Sequence, residues 1–541
     1  MKIVVADGIS ARGLALLREP GWDVVQPEAA SLASALADAD ALIVRSATRV
    51  TEAVLDAAPL LQVVGRAGVG VDNIDLDAAT RRGVLVMNTP GGNAVSVAEH
   101  TLALLLALAR CVPQLDAGIR AGRWEKTAAR GIELRGKTLG LIGLGRVAVE
   151  VARRARAFDL VVLAHDPYIS DEVARDAGAE LVSMDELLSR SDFVSLHAAL
   201  SPSSERLLNA GSIARMKIGA RLINTARGEL VDETALAEAL RSGRLAGAAV
   251  DVFAEEPPRQ SALLGLPTVI ATPHVAGSTE EAQEEVGTLI AQQVRDYLAE
   301  GILRNGVNLP TLSAEQYRRL RPFLLLAERL GSLAAQVAGG RLGLVRISYA
   351  GEPAELGTSV LRNAVLAGVL NTVLDEKVNL VNAGAIAASR GLRVEEVARR
   401  REHGFPDTIE VAAAAHFGEP HCVSVEGTAL HDAFPRVLRV DGIELESPLD
   451  GTMLLLRNRD VPGVIGQVGT ILGNQGVNIA TFALGRREAN RAAEAIALVR
   501  LDGEVPDSIL SPLRAIPAVT EALLIRLPAC SEGTSSPPLS P

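Results

Sequence analysis

Short apolar runs alternate with helical patterns along the first half of the chain. Five runs lie within residues 1–95 and seven within residues 96–278. They are KIVVAD, WDVVQ, ALIVRS, LQVVGRA and VLVMNTP, then LGLIG, LVVLAHD, AELVS, FVSLHA, RLINTA, AAVDV and VIATPH. Such runs are typical of buried strands, and strands that alternate with helices form parallel sheets. The pattern predicts an α/β fold with two doubly wound lobes, and the helical stretch 280–300 is expected to return to the first lobe.

A glycine turn in the second lobe predicts a nucleotide site. Gly143 and Gly145 lie between the predicted strand LGLIG and the predicted helix VAVEVARRARAF, in which Ala148 is small enough for close packing. The helix N-terminus offers N–H groups to phosphates. Asp166 ends the next predicted strand about 20 residues later, the spacing of a carboxylate that binds a ribose 2′-hydroxyl. Because this carboxylate would repel a 2′-phosphate, the sequence favours NAD over NADP.

Composition narrows the class of protein. The 541 residues suffice for three or four domains, and the net charge of −11 argues against a nucleic-acid surface. Cys111, Cys422 and Cys530 are too few and too scattered for a disulfide framework or a metal site. The apolar stretch 101–109 is much shorter than the ~20 residues of a membrane span and predicts a buried helix. With no signal peptide in MKIVVADGIS, we expect a cytoplasmic enzyme without membrane or nucleic-acid partners.

Three residues with catalytic potential follow predicted strands of the second lobe. Arg227 lies in INTARGELVD, Glu256 in AVDVFAEEP and His274 in ATPHVAGS. An arginine can bind a carboxylate through two hydrogen bonds, and a histidine paired with a carboxylate can accept or donate a proton. Each residue alone also suits a structural role. Together, behind a nucleotide fold, they favour proton and hydride transfer on a small acid.

The chain resembles the D-isomer-specific 2-hydroxyacid dehydrogenases. The resemblance rests on GRAGVGVDNID, GLIGLGRV, LINTARGELVD, AAVDVFAEEP and TPHVAGSTEEAQ, which occur in the family's order and spacing. It implies that Arg227 binds the substrate, that Glu256 pairs with the histidine and that His274 is the general acid/base. It also implies a set of NAD contacts: Gly143, Gly145, Arg146, Val147, Asp166, Thr225, Asp251 and Gly277.

The same resemblance points to substrate residues in the long, phosphoglycerate-oxidising branch of the family. Arg45 in IVRSATRVT and Asn93 in TPGGNAVSVAEH match positions that meet the substrate there. The cation of Arg45 suits a phosphate or a carboxylate, although a solvated strand-end arginine is an equal alternative. Lys126 in GRWEKTAARG could add charge near the phosphate or simply be exposed.

The C-terminal third resembles two further domains of that branch. Residues 307–450 resemble its intervening, or allosteric substrate-binding, domain, which implies an α+β fold. Residues 453–528, beginning MLLLRNRDVPGVIGQVGTILGNQGVNIATFAL, resemble a ferredoxin-like ACT domain. The resemblance implies a regulatory serine near Asn458, Asp460 and Asn478, between two ACT domains, although a packing domain without a ligand is the alternative. REANRAAEAIALV replaces the usual Gly-Gly pair and could alter the neighbouring strand.

The predicted organisation has four domains and a tail. A substrate lobe comprises 1–95 with 279–306, an NAD-binding Rossmann lobe 96–278, the intervening domain 307–450, the ACT domain 453–528, and a disordered tail 529–541. The resemblance implies NAD-dependent oxidation of 3-phosphoglycerate in serine synthesis, by a homodimer or homotetramer. The alternatives are a broad 2-hydroxyacid dehydrogenase or hydroxypyruvate/glyoxylate reductase, and a corepressor-like NAD-dependent scaffold. Oxidation of 2-hydroxyglutarate as a side activity stays open.

Overall fold

The computed structural model places the described residues in two compact units. These residues are all but 125, 127–129, 311, 313, 340–341, 400–404, 416–421, 431–433, 488–493, 504 and 528–541. One unit is Met1–Asn88 with Ile290–Pro541, and the other is Thr89–Leu289. The predicted tail, 529–541, lies outside the described residues.

The first unit begins with a five-stranded parallel sheet. Its strands are β1 (Lys2–Val5), β2 (Asp23–Val25), β3 (Ala41–Val44), β4 (Val63–Arg66) and β5 (Leu85–Met87). Its helices are α1 (Ala11–Leu16), α2 (Leu32–Leu36), α3 (Glu52–Asp56) and α4 (Leu76–Arg81), with a 3₁₀ turn at Ala29–Ser31. The order β2-β1-β3-β4-β5 is that of a flavodoxin-like doubly wound sheet, which confirms the predicted architecture of this lobe.

The second unit contains a seven-stranded parallel sheet. Its helices are α5 (Ala94–Arg110), α6 (Val112–Arg120), α7 (Arg146–Arg156), α8 (Asp171–Asp176), α9 (Met184–Arg190), α10 (Ala210–Arg215) and α11 (Glu233–Arg241). Its strands are β6 (Thr138–Ile142), β7 (Val161–His165), β8 (Glu180–Leu181), β9 (Phe193–Leu196), β10 (Ala220–Asn224), β11 (Leu245–Val250) and β12 (Val269–Ala271).

The order β12-β11-β10-β9-β6-β7-β8 is the Rossmann order with an additional edge strand. All seven predicted strands are therefore present. The order reverses between β6 and β9. In such sheets ligands bind at the carboxyl ends of the strands beside this reversal, which is where the glycine turn lies.

Helix α5 contains the apolar stretch 101–109 and is a core helix, as predicted. Ten of its 17 residues are buried, including Leu102, Leu105 and Leu108. Among the described residues, no single helix is long and apolar enough to cross a membrane, and the bent pair α5–α6 meets the criterion only by length and composition.

The chain then returns to the first sheet through α12 (Glu280–Glu300), which contains the boundary between the units. Its second half packs on β4, because a Cβ on Gly65 would lie 2.8 Å from a side-chain carbon of Val294. Beyond α12, Gly306 pairs with Met87, and the Val307 N–H donates to the Val86 carbonyl at 2.7 Å. The predicted return to the first lobe is thus built from backbone pairing as well as helix packing.

A six-stranded mixed sheet follows. Its helices are α13 (Ala314–Ala338), α14 (Glu352–Leu356), α15 (Thr358–Leu370) and α16 (Ala383–Ser389). Its strands, in the order β14-β13-β15-β16-β17-β18, are β13 (Leu344–Ala350), β14 (Arg393–Ala398), β15 (Thr408–Ala414), β16 (Val423–Leu430), β17 (Phe434–Val440) and β18 (Ile443–Pro448). Only the β13–β14 pair is parallel among the described strands of this sheet. This is the α+β fold that the sequence predicts.

The last sheet is antiparallel and has a βαββαβ order. It comprises β19 (Thr452–Arg459), α17 (Val464–Asn474), β20 (Ile479–Arg486), β21 (Glu494–Leu501), α18 (Leu510–Arg514) and β22 (Val519–Arg526), with a 3₁₀ turn at Asp507–Ile509. The spatial order β20-β21-β19-β22 is ferredoxin-like, as predicted. Residues 488–493 of the atypical segment lie outside the described residues, but β21 pairs with β19 over its full length.

Candidate functional site

The glycine turn has the geometry of a nucleotide site. Gly143 has φ +88°, and a Cβ there would lie 2.9 Å from the backbone of His197 and Ala198, so only glycine fits. Gly145 caps the 11-residue helix α7, and the space beside its Cα is open. Open space and free helical N–H groups are what a pyrophosphate requires. The fit is therefore good for a dinucleotide.

Asp166 is joined to this turn by hydrogen bonds. Its Oδ2 accepts from the Leu144 N–H at 2.9 Å, and its Oδ1 accepts from the Tyr168 N–H at 2.9 Å. The carboxylate thus stands beside the glycine turn at the end of β7. Each oxygen retains a second lone pair for a ribose hydroxyl.

His274 and Glu256 form a hydrogen-bonded pair. Nδ1 of His274 lies 2.8 Å from Oε2 of Glu256, and their side chains are 49% and 39% exposed. Oε1 of Glu256 also accepts from the Phe253 N–H at 3.2 Å. Because the carboxylate can only accept, Nδ1 of His274 carries the proton, which leaves Nε2 of the neutral ring as a base. Glu255 is exposed beside the pair.

Asp251 organises the loop that bears His274. Its side chain is fully buried and accepts hydrogen bonds from the Thr272 hydroxyl at 2.5 Å and from the N–H groups of Val275 and Ala276 at 3.0 and 2.9 Å. Burial opposes ionisation of this carboxyl, but these bonds and His100 outweigh it and lower the pKa of Asp251 to about 2. Asp251 is therefore a carboxylate at neutral pH.

Arg227 is brought to the same edge by a close backbone approach. A Cβ on the next residue, Gly228, would lie 1.9 Å from the carbonyl carbon of Phe253 and 2.3 Å from the nitrogen of Ala254. The loop after β10 thus packs directly on the loop that leads to Glu256. Arg227 itself donates from Nη1 to the Ala226 carbonyl at 2.7 Å.

Two predicted cofactor residues lie beside α5. Oγ1 of Thr225 lies 2.8 Å from Oγ1 of Thr101, which donates to the Val97 carbonyl. Gly277 faces Asn93, since a Cβ on this glycine would lie 2.7 Å from the Asn93 amide nitrogen. The second unit therefore gathers the predicted residues of the catalytic edge: Asn93, Thr225, Arg227, Asp251, Glu256, His274 and Gly277.

Four further predicted residues lie outside this set. Arg146 begins α7 and lies against Gly91, whose Cβ would be 2.9 Å from its Cδ, and Val147 packs on the core of this lobe. Lys126 is exposed, with its Nζ 5.9 Å from the ring centre of Trp124. In the first unit, Arg45 follows β3, and its N–H donates to Asp7 at 2.7 Å.

The C-terminal sheet has a cavity of about 420 Å³ between α17 and β20. Asn458 and Asp460 line this cavity, and Arg486 pairs with Asp460 at 3.2 Å. Asn478 does not line it, because its amide donates to Asp502 at 2.7 Å. One subunit thus brings together two of the three predicted serine residues.

Sequence reasoning missed His100 and Thr272, which adjoin Asp251. Nε2 of His100 lies 3.1 Å from the Thr272 hydroxyl and 3.5 Å from Oδ1 of Asp251. Thr272 lies in the predicted run VIATPH, two residues before His274, which is the only signal that the sequence offers. His100 lies far away in the chain, so only the packing of α5 shows its place.

Family models match three segments of the chain. Residues 102–276 match the NAD-binding domain of D-isomer specific 2-hydroxyacid dehydrogenases. Residues 319–441 match the D-3-phosphoglycerate dehydrogenase intervening domain, and residues 452–518 match the ACT domain.

Curated relatives are similar over nearly their whole length. A D-3-phosphoglycerate dehydrogenase of Methanocaldococcus jannaschii is 41% identical over 97% of this chain and 100% of its own. One of Bacillus subtilis is 39% identical, with the same coverage. The chloroplastic D-3-phosphoglycerate dehydrogenase 2 of Arabidopsis thaliana is 41% identical over 97% of this chain and 87% of its own.

Solved structures resemble the dehydrogenase part. A glyoxylate reductase of Paecilomyes thermophila is 31% identical over 57% of this chain and 98% of its own, with a TM-score of 0.52. A formate dehydrogenase of Staphylococcus aureus in complex with NAD is 30% identical over 56% of this chain and 98% of its own, with a TM-score of 0.51.

Proposed function

The chain belongs to the D-3-phosphoglycerate dehydrogenases, within the D-isomer-specific 2-hydroxyacid dehydrogenase family, and on this premise we propose that it oxidises 3-phospho-D-glycerate to 3-phosphohydroxypyruvate. When bound, NAD would accept the hydride from the substrate. The 2.8 Å contact between His274 and Glu256, in a lobe with an intact dinucleotide turn, is the observation that supports this chemistry. The product is the precursor of serine in this reading.

His274 accepts the proton of the substrate's C2 hydroxyl on Nε2. Its Nδ1–H donates to Glu256, which fixes this tautomer and stabilises the imidazolium formed when the proton arrives. The C2 hydrogen leaves with its electron pair, so C2 becomes a carbonyl. In the reverse direction the imidazolium returns the proton to the carbonyl oxygen.

Arg227 binds the C1 carboxylate and polarises the C2 oxygen. A guanidinium suits this role because it presents two parallel donors to a carboxylate. The close packing of Gly228 on Phe253 and Ala254 ties the Arg227 loop to the Glu256 loop. The two groups thus hold a fixed geometry toward one substrate. Asn93 and Arg45 are assigned to the substrate by resemblance, and the cation of Arg45 suits a phosphate or a carboxylate.

The residues of the dinucleotide turn fit NAD. By resemblance, the pyrophosphate would be held by Gly143, Gly145, Arg146 and Val147, and the adenosine ribose would be bound by Asp166. Thr225, Asp251 and Gly277 are assigned to the nicotinamide end by resemblance. In the structure the Asp251 carboxylate accepts four hydrogen bonds or ion-pair contacts, so it also holds this end of the site together.

We also propose regulation by an amino acid. The cavity beside Asn458 and Asp460 offers an amide and a carboxylate for a zwitterion such as L-serine. Asn478 lies outside this cavity. By resemblance, two ACT domains would enclose the serine, so that Asn478 of a second copy would reach it and the regulated form would be at least a homodimer. We expect this enzyme in the cytoplasm, although two relatives of Arabidopsis thaliana are named chloroplastic.

One assay tests the function. NADH formation is measured with 3-phosphoglycerate, glycerate, lactate and 2-hydroxyglutarate, each with and without serine. The proposal expects 3-phosphoglycerate to have the highest kcat/KM. A higher kcat/KM for glycerate would favour a hydroxypyruvate/glyoxylate reductase, and NAD binding without turnover on any acid would favour a binding scaffold.

A further inference from the structure

One face of α5 contacts the segment that bears His274. Three polar side chains, those of the N-cap residue Asn93 and of Ser96 and His100 in the helix, are spaced by three and four residues and lie toward residues 272–279, as expected for one helix face. The contacts join Asn93 to Gly277, Ser96 Oγ to Thr279 Oγ1 at 2.7 Å, and His100 Nε2 to Thr272 Oγ1 at 3.1 Å. The helix therefore packs along residues 272–279, the segment that bears His274.

The bond between His100 and Thr272 has a defined direction. The Thr272 hydroxyl has one hydrogen, which it donates to the Asp251 carboxylate at 2.5 Å. It therefore accepts from His100, and Nε2 of His100 carries a hydrogen. Asp251 Oδ1 lies 3.5 Å from the same nitrogen and is a second acceptor.

Asp251 connects these hydrogen bonds to His274. Asp251 accepts from the N–H groups of Val275 and Ala276, and its backbone carbonyl accepts from the His274 N–H at 2.8 Å. His274 has φ +53°, a left-handed conformation that residues with a side chain rarely adopt. Such a conformation persists only where the surroundings enforce it.

We propose that His100 is a positioning residue for catalysis: its Nε2–H fixes Thr272 and Asp251, and these hold His274 in its left-handed conformation. His100 touches neither reacting atom in this reading. It acts through the loop, so its loss reduces kcat and leaves substrate binding nearly unchanged. The proposal rests on the function proposed above, in which His274 is the base.

The test compares two replacements of His100 in the full chain. His100→Gln keeps an N–H donor near the position of Nε2, and His100→Leu removes it at a similar volume. We expect His100→Leu to lower kcat about tenfold, with KM for NAD and for 3-phosphoglycerate unchanged within about twofold. His100→Gln should recover most of the lost kcat. Leu105→Ala, a buried change on the same helix, is the control for lost stability.

A second measurement does not depend on turnover. Hydrogen–deuterium exchange is followed in peptides that cover 272–279, because the N–H groups of Val275 and Ala276 are protected by Asp251. We expect faster exchange there in His100→Leu than in His100→Gln, and no selective change in Leu105→Ala. This result is readable even if the wild-type substrate proves to be a different 2-hydroxy acid.

A double-mutant cycle with Thr272→Val tests whether the effect of His100 on His274 passes through Thr272. If His100 acts through Thr272, His100→Leu adds little to the loss of kcat caused by Thr272→Val. Independent, multiplicative losses would overturn the proposal. So would equal kcat values for His100→Leu and wild type, equal losses in His100→Leu and His100→Gln, or exchange in 272–279 that does not respond to His100→Leu.

Discussion

Gly228 is the position where one methyl group should disturb the site most. Its backbone lies so close to the neighbouring loop that an added Cβ would be 1.9 Å from the carbonyl carbon of Phe253, whereas ordinary contact begins near 3.4 Å. Both partners are backbone, so no side chain can rotate away. Gly228→Ala must therefore separate the two loops by about 1.5 Å.

That displacement acts on two proposed catalytic groups at once. Arg227 precedes Gly228, and Glu256 accepts the N–H of Phe253 on the opposing loop. A shift of ~1 Å in a positioning element can lower the rate about 10²-fold, and overpacking costs about 1–3 kcal/mol of stability. We expect Gly228→Ala to lower kcat/KM for 3-phosphoglycerate about 10²-fold, with NAD affinity changed much less.

A glycine without close neighbours serves as the matched control. Gly265 lies in the same unit, has open space where a Cβ would point and needs no positive φ. Gly265→Ala should keep wild-type kcat/KM and stability. The two variants are compared by steady-state NADH formation, by thermal denaturation and by titration with NAD. If Gly228→Ala retained kcat/KM within threefold of Gly265→Ala, the tight approach of the two loops would not matter for catalysis.

Four further predictions follow from the same site. His274→Ala should lower kcat by roughly 10²–10⁴-fold while NAD still binds, and an unchanged kcat would remove this histidine from the mechanism. Asp166→Ala should narrow the preference for NAD over NADP and lower kcat/KM with each of the two cofactors. Equal kcat/KM for NAD and NADP in the wild type would contradict the assignment of Asp166 to the ribose 2′-hydroxyl. The lowered pKa of Asp251, about 2 instead of 3.8, corresponds to about 2 kcal/mol of stability that is present above pH ~4 and lost as the pH falls toward 2. The difference in melting temperature between wild type and Asp251→Asn should therefore shrink on acidification, and a constant difference down to pH 3 would argue against it. Calorimetry should show serine binding at millimolar or lower concentration, lost in the double variant Asp460→Ala with Asn478→Ala; no binding to the wild type would leave the ACT domain as an assembly module.

Local pattern was enough to predict the elements of the dehydrogenase part. The central strands of the two parallel sheets are short apolar runs, because such strands are covered on both faces and need no polar alternation. The glycine turn could also be predicted, since Gly143 must adopt φ +88° beside β9 and no other residue does so without strain. That Arg227, Glu256 and His274 lie near one another could also be predicted, because each follows a strand and the carboxyl ends of neighbouring parallel strands meet.

Tertiary structure alone decided the partners of these residues. His100 and Thr272 are 172 positions apart, and nothing local marks a histidine on a core helix as part of a catalytic loop. The lowered pKa of Asp251 depends on donors from two distant segments, α5 and residues 272–276, whose hydrogen bonds outweigh the effect of burial. The left-handed conformation of His274 is equally invisible in the sequence, because it is imposed by those contacts. Composition and periodicity determine which segments become helices and strands. Hydrogen bonds between distant segments determine the orientation of a side chain and its protonation state.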